Sequence, residues 1–116
     1  MANDADCLFC KIVAGDIPAD VVHRTDTTVA FRDIEPQAPT HVLVVPRSHQ
    51  PDIGTLTTVE PEVALDLLNA VSAVAAQEGL GKGYRLVFNT GAQAQQTVFH
   101  VHAHVIGGRD LTWPPG

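Results

Sequence analysis

The sequence predicts an α+β fold, in which about five antiparallel strands are covered by one long helix and preceded by a short one. Three observations predict it. Five short runs rich in Val, Ile, Thr and Phe stand between turn residues, as strands do. A single stretch, residues 60–79, repeats its apolar residues at helical spacing. The chain's 116 residues, 45% of them hydrophobic, suffice for one core and hardly for two. Residues 1–116 therefore read as one domain, with a carboxy-terminal tail over 109–116.

"CLFCKIVAGDIPAD" begins as a helical turn with Phe9, Ile12 and Val13 on one face, closed by Gly15 and Pro18. The runs "VVHRT", "TVAFRDI" and "HVLVVP" follow as an antiparallel meander, with a turn near Asp26. The third run ends at Pro46, which cannot donate to a central ladder. From Glu60 to Gly79, the residues Val63, Leu67, Ala70, Val71 and Val74 line one helical face. Pro61 suits the first turn and "EGLGKG" stops the helix. "YRLVFN" and "VFHVHAHVI" supply the last two strands around the loop "TGAQAQQ", and "DLTWPPG" is too rich in proline for either element. There is no internal repeat.

Thirteen acidic against seven basic residues give a net charge of -6, with no basic stripe to follow a nucleic-acid backbone. Any phosphate ligand is then small, and nucleic acid is not an expected partner. No window approaches the ~20 apolar residues of a membrane span, and "MANDADCLFC" has no leader-like apolar region, so a cytoplasmic protein is expected.

In "TVFHVHAHVIGG", His100, His102 and His104 alternate with Val101, Ala103 and Val105. A strand would put the imidazoles on one face and the aliphatic residues on the core face. Positions i and i+4 of a strand lie roughly 13 Å apart at ~3.4 Å per residue. His100 and His104 therefore cannot grip one ion, which excludes a three-histidine metal site within the strand. A two-histidine half-site and a row of imidazoles with separate jobs both stay open. An imidazole whose Nδ1–H is held by a carbonyl presents a neutral Nε2 lone pair that can attack phosphorus, and a neighbouring imidazole can steady the charge. Histidine is also an acid suited to a poor leaving group such as an amine. Basic side chains are scarce nearby. Phosphate oxygens would be met by N–H groups of "GAQAQQT" and by the Thr97 hydroxyl. Cys7 and Cys10, three apart, make a poor disulfide. With two distant histidines they can form the tetrahedral set zinc favours; the rival is a redox pair, although such pairs open a helix after a strand and none precedes Cys7. His23 reads as an exposed strand residue.

The run His100-Val101-His102-Ala103-His104-Val105-Ile106 resembles the signature of the histidine triad (HIT) family of nucleotide-binding proteins. "FCKIVAGDIPA", "FRDIEPQAPTHVLVVPRSH", "GYRLVFNTG" and "GGRDLTWPPG" are similar to its Hint branch, so the resemblance covers essentially the whole chain. It implies a HIT-like fold and hydrolysis of the P–N bond of purine nucleoside 5'-phosphoramidates through a nucleotidyl intermediate on His102. By the same resemblance His104 contacts the phosphate and leaving group, the carbonyl of His100 fixes the tautomer of His102, and His41 supports the network. Thr97, Gln96 and Asn89 line the phosphate end, Asp33 accepts from the ribose hydroxyls, and Phe9, Ile12, Ile17, Phe31 and Ile34 form the base wall. A structural zinc would sit on Cys7, Cys10, His49 and His100, with no catalytic metal required. A homodimer is implied, in which Trp113 of the tail helps select the leaving group at the partner's site. One departure stands out: the branch usually has glycine where this chain has Gln95, and a residue other than glycine would be strained there if φ is positive.

Three other activities compete with the phosphoramidase. The first is cleavage of dinucleoside polyphosphates, or nucleotidyl transfer, with the same nucleophile. The second is a nucleotide-binding module with incidental turnover. The third is a zinc hydrolase with His100 and His102 as ligands, which a chelator would inactivate.

Overall fold

In the computed structural model residues 4–116 are described; Met1, Ala2 and Asn3, on which part of the reading of the amino terminus falls, lie outside the described residues. Cys7 starts helix α1 (Leu8–Ala14), its sulfur accepting from the Cys10 N–H, and Gly15 ends it at φ 83°, a left-handed turn open to glycine. Strands β1 (Val21–Arg24), β2 (Thr28–Arg32) and β3 (Thr40–Pro46) form the expected antiparallel meander. Helix α2 (Ile53–Val59) and helix α3 (Pro61–Gln77) follow, then β4 (Tyr84–Val87), a single 3-10 turn (Ala92–Ala94) and β5 (Ala103–Gly107). The sheet order is β1-β2-β3-β5-β4, all antiparallel, so the last strand inserts between β3 and β4.

That insertion places the histidine strand at the centre. Val42 and Val44 of β3, with Val101, Ala103 and Val105, pack against Leu67, Ala70, Val71 and Val74 of α3. Each such buried valine or leucine contributes about 1.5–3 kcal/mol, and each alanine less than about 1 kcal/mol. The alternate residues of β3, Leu43 and Val45, face the other way and join Phe9, Phe31, Cys7 and Cys10 in a second cluster. Side-chain alternation thus gives the sheet one face that is only core and one that can hold a site.

The structure departs from the sequence expectation at three places. Helix α2 was not expected, because "IGTLTTV" is rich in β-branched residues with weak helix propensity; Asp52, accepting from the Thr55 N–H at 2.8 Å, supplies the cap that starts it. The final strand was expected from Val98, but its ladder begins at Ala103, opposite Val44. Pro46 lacks the N–H a further ladder rung would use, its carbonyl meets the His100 ring instead, and the Val101 N–H turns to Gln50 O. His23 is half-buried on β1 rather than exposed. Among the described residues no helix is long and apolar enough to cross a membrane.

Candidate active site and metal cluster

The alternation of the histidine segment continues through residues 100–102, ahead of the ladder. Val101, Ala103 and Val105 are buried toward α3, and His100, 0% exposed, lies on the opposite side beside Cys7 and Cys10. The three imidazoles separate there. His100 enters a cluster with sulfur, while His102 and His104 lie with ring centroids 5.0 Å apart at an open cavity.

Tautomers follow from the partners. The Nδ1 of His102 is 2.8 Å from the His100 carbonyl, which can only accept, so Nδ1 holds the proton and Nε2 keeps a free lone pair. The Gln37 N–H donates to His41 Nδ1 at 3.0 Å, so His41 holds its proton on Nε2. That proton is donated to His104 Nδ1 at 2.9 Å, which leaves His104 with its own proton on Nε2. The Asn89 amide is 3.5 Å from this nitrogen, and the Asp33 carboxylate is 3.4 Å from His41 Nε2. The site therefore offers one imidazole lone pair and, beside it, one imidazole N–H. Burial holds His102 below the ordinary histidine range against the opposing pull of the His100 carbonyl and Asp33, and holds His41 below it against Asp33. Burial, with His102 and His41 adding to it, lowers His104 to about 4. All three are neutral near pH 7.

The cavity they face has a volume of about 660 Å³, within the range of small-molecule sites. Phe9, Ile12, Ile17, Phe31 and Ile34 line its apolar end, and Asp33, Thr97, His102 and His104 its polar end. Phe9 meets His102 edge-on at 4.9 Å between centroids and Phe31 at 5.5 Å. Ile34 is a rim residue, 94% exposed. Trp113 is 80% exposed and does not line this cavity.

Gln96 sits differently from the expectation. It is buried, its amide donates to Pro51 O at 2.7 Å and to Val98 O at 3.1 Å, and its Oε1 accepts from the Gly91 N–H at 2.9 Å. The N–H groups of Ala94, Gln95 and Gln96 are also spent within the loop, on Gly91 and Ala92 carbonyls. Only the later part of "GAQAQQT", from Thr97 onward, borders the cavity. Gln95 adopts φ 68° and ψ 29°, the left-handed conformation. Two partners were not foreseen, the Gln37 N–H and the Pro46 carbonyl; both act through the backbone, which leaves no residue-type signal.

Among the described residues, two groups of potential donors lie close enough together to be tested as metal sites. In the first, His100 Nδ1 lies 3.4 Å from Cys7 Sγ, 3.5 Å from Cys10 Sγ and 3.2 Å from His49 Nδ1, and Cys10 Sγ is 3.4 Å from His49 Nδ1. With Zn–N of ~2.0–2.1 Å and Zn–S of ~2.3 Å, a tetrahedron has edges of roughly 3.3 Å between nitrogens and roughly 3.5 Å between nitrogen and sulfur. The donor set fits. The second nitrogen of His100 is 2.9 Å from Pro46 O, an outer partner that aims its Nδ1 lone pair inward, and the Asp4 carboxylate stands 3.9 Å from His49 Nε2. Burial pushes the Cys10 thiol up and the His100 imidazole down to about 4. The second group, Asp33, His41 and His104, fits no metal, because the lone pair of His41 is already taken by the Gln37 N–H and its other nitrogen is protonated.

A family model described as the HIT domain matches residues 14–111. An uncharacterized HIT-like protein of Synechococcus elongatus is 51% identical to the chain, over 96% of it and 97% of the relative. A 14 kDa zinc-binding protein of Brassica juncea is 43% identical, over 96% and 100%, and the Adenylylsulfatase HINT1 of Arabidopsis thaliana is 42% identical, over 98% and 79%. Among solved structures, a HIT family hydrolase from Legionella pneumophila superposes with a TM-score of 0.92 at 47% identity, covering 96% of this chain and all of the other.

Proposed function

The chain belongs to the HIT domain family, and on that premise we propose that it is a Hint-branch hydrolase of purine nucleoside 5'-phosphoramidates, with His102 as the nucleophile. The observation that carries this reading is the 2.8 Å bond from His102 Nδ1 to the His100 carbonyl, which leaves Nε2 free at a nucleoside-sized cavity. In the first step Nε2 attacks phosphorus, the P–N bond breaks, and the nitrogen leaves as an amine with a proton taken from solvent. His104 donates its Nε2–H to a phosphoryl oxygen, and the Thr97 hydroxyl adds a second donor on the leaving-group side. In the second step water attacks phosphorus, the P–Nε2 bond breaks, the nucleoside monophosphate departs and the proton returns to solvent. Asp33 accepts from the ribose, and Phe9, Ile12, Ile17, Phe31 and the rim residue Ile34 enclose the purine. Asn89 borders the phosphate end beside His104 without a hydrogen bond to its Nε2–H, and Gln96 holds the loop rather than the ligand.

Cys7, Cys10, His49 and His100 would hold a structural zinc, a reading supported by the edge lengths of the cluster and by the zinc-binding relative's name. Bound there, zinc supplies a closed four-ligand clamp and leaves the chemistry to His102. The exposed faces of Tyr84 and Leu86 on the edge strand β4, and the exposed Trp113, support a homodimer in which each tail reaches the partner's site. The single domain over 1–116 and a cytoplasmic setting complete the proposal.

The test is turnover of adenosine 5'-phosphoramidate, diadenosine polyphosphate and adenylyl sulfate by the wild type and by His102→Ala, with intact-mass detection of a nucleotidyl adduct. The expected result is a preference for the phosphoramidate, an adduct in the wild type alone, and a loss of about 10³-fold or more in the variant. A preference for either other substrate moves the protein to the corresponding activity. Retained turnover in His102→Ala would overturn the covalent mechanism.

A further inference from the structure

Helix α1 bears side chains that belong to two different sites. Cys7, at its start, and Cys10 join the cluster with His49 and His100. Phe9, between them, lines the nucleotide cavity together with Ile12 and sets its ring against His102. At seven residues the helix is too short to persist on its own hydrogen bonds, so docking must fix its position.

The remaining donors are anchored in the body of the fold. Ser48 and Gln50, which flank His49, both donate to Glu60 Oε2 at 2.9 Å. The His100 ring reaches Pro46 O at 2.9 Å. Two of the four donors are thus held by the sheet and the helical layer, and the two thiols lie on the element that needs docking. His100 is itself a bridge, with Nδ1 in the cluster and its carbonyl on His102.

We infer that the cluster of Cys7, Cys10, His49 and His100 and the nucleotide cavity form one linked unit. Closing the cluster on a tetrahedral metal such as zinc docks α1, and docked α1 completes the purine wall through Phe9 and Ile12. This rests on the nucleotide reading of the cavity. Linkage is reciprocal: if zinc tightens AMP by some factor, AMP tightens zinc by the same factor.

The experiment measures AMP affinity by calorimetry on zinc-loaded and zinc-stripped protein, and zinc affinity by competition with a chromophoric chelator with and without saturating AMP. Stripping is expected to weaken AMP about tenfold and AMP to tighten zinc equally, within the usual span of coupled sites. Circular dichroism should keep the sheet signal, with faster amide exchange confined to α1. Phe9→Ala keeps all four donors, and it should weaken AMP in the loaded protein and bring the coupling factor toward one. Equal AMP affinity in both forms, a coupling factor undiminished by Phe9→Ala, or collapse of the whole sheet on stripping would each overturn the inference. Loaded protein that does not bind AMP at all removes the nucleotide reading and this inference with it, whereas equal binding removes the linkage alone.

Discussion

His100 and His104 stand four positions apart and belong to two clusters built from similar parts. Around His100 the ring nitrogens and thiols converge at 3.2–3.5 Å with their lone pairs turned inward, an arrangement suited to a soft cation. Around His104 the imidazoles are joined by donated protons, and most lone pairs are already answered. What distinguishes the two is the outer partner of each ring. A carbonyl at Pro46 turns the Nδ1 of His100 into a metal donor, the His100 carbonyl turns the Nε2 of His102 into a nucleophile, and the Gln37 N–H turns His104 into a donor. Identical side chains acquire different chemistry from backbone groups around them.

The relay through His41 is where the contrast can be broken hardest. His41→Phe keeps ring volume but removes the proton that His41 gives to His104, so the Nε2–H of His104 is no longer fixed. The expected loss is about 10²-fold in kcat, the lower range for losing one donor to the developing charge, with KM nearly unchanged and the His102 adduct still formed slowly. Steady-state kinetics separate the two parameters. A change in kcat under threefold would mean that His104 does not need His41.

Acid sharpens the comparison with a smaller effect. The folded chain holds His104 at about 4 and His41 below its ordinary range, mainly through burial, while an unfolded chain titrates both near ~6.5. As pH falls from 7 toward 5 the unfolded state takes up protons that the folded state refuses, so stability must fall. The melting temperature is expected to drop by several degrees across that window. In His104→Asn the slope of melting temperature against pH should be flatter. A wild-type melting temperature that rises on acidification would contradict the buried, neutral imidazoles.

Much of this was legible in the sequence because the information sits in side-chain type and period. The alternation of Val101, Ala103 and Val105 with the histidines marked the core face, and the apolar repeat from Val63 to Val74 marked α3. The donors Cys7, Cys10, His49 and His100, which the family resemblance implies, lie close together in space. What escaped was set by the backbone or by long-range context. Helix α2 depends on a cap that outweighs weak propensity, the late start of β5 depends on the missing N–H of Pro46, and the tautomer of His104 depends on the N–H of Gln37. The resemblance likewise puts Gln96 at the phosphate end, since residue type cannot reveal that its amide is engaged with three backbone groups.

Those three bonds also govern the smallest effect. Gln95 occupies the left-handed region where the resemblance led us to expect glycine, at a cost of about 1–2 kcal/mol for a residue with a Cβ. Gln95→Gly relieves that cost but returns about 0.5–1 kcal/mol of chain entropy to the unfolded state. The side chain is exposed, so little contact is lost. The variant should gain no more than about 1 kcal/mol in denaturant unfolding, with kcat/KM within twofold of the wild type, because the loop already has the conformation glycine would take. Gln95→Val should be destabilised instead, since a β-branched residue fits that region worst. If Gln95→Gly changed kcat/KM tenfold, the loop would have been held in place by Gln95 itself rather than by the amide of Gln96 beneath it.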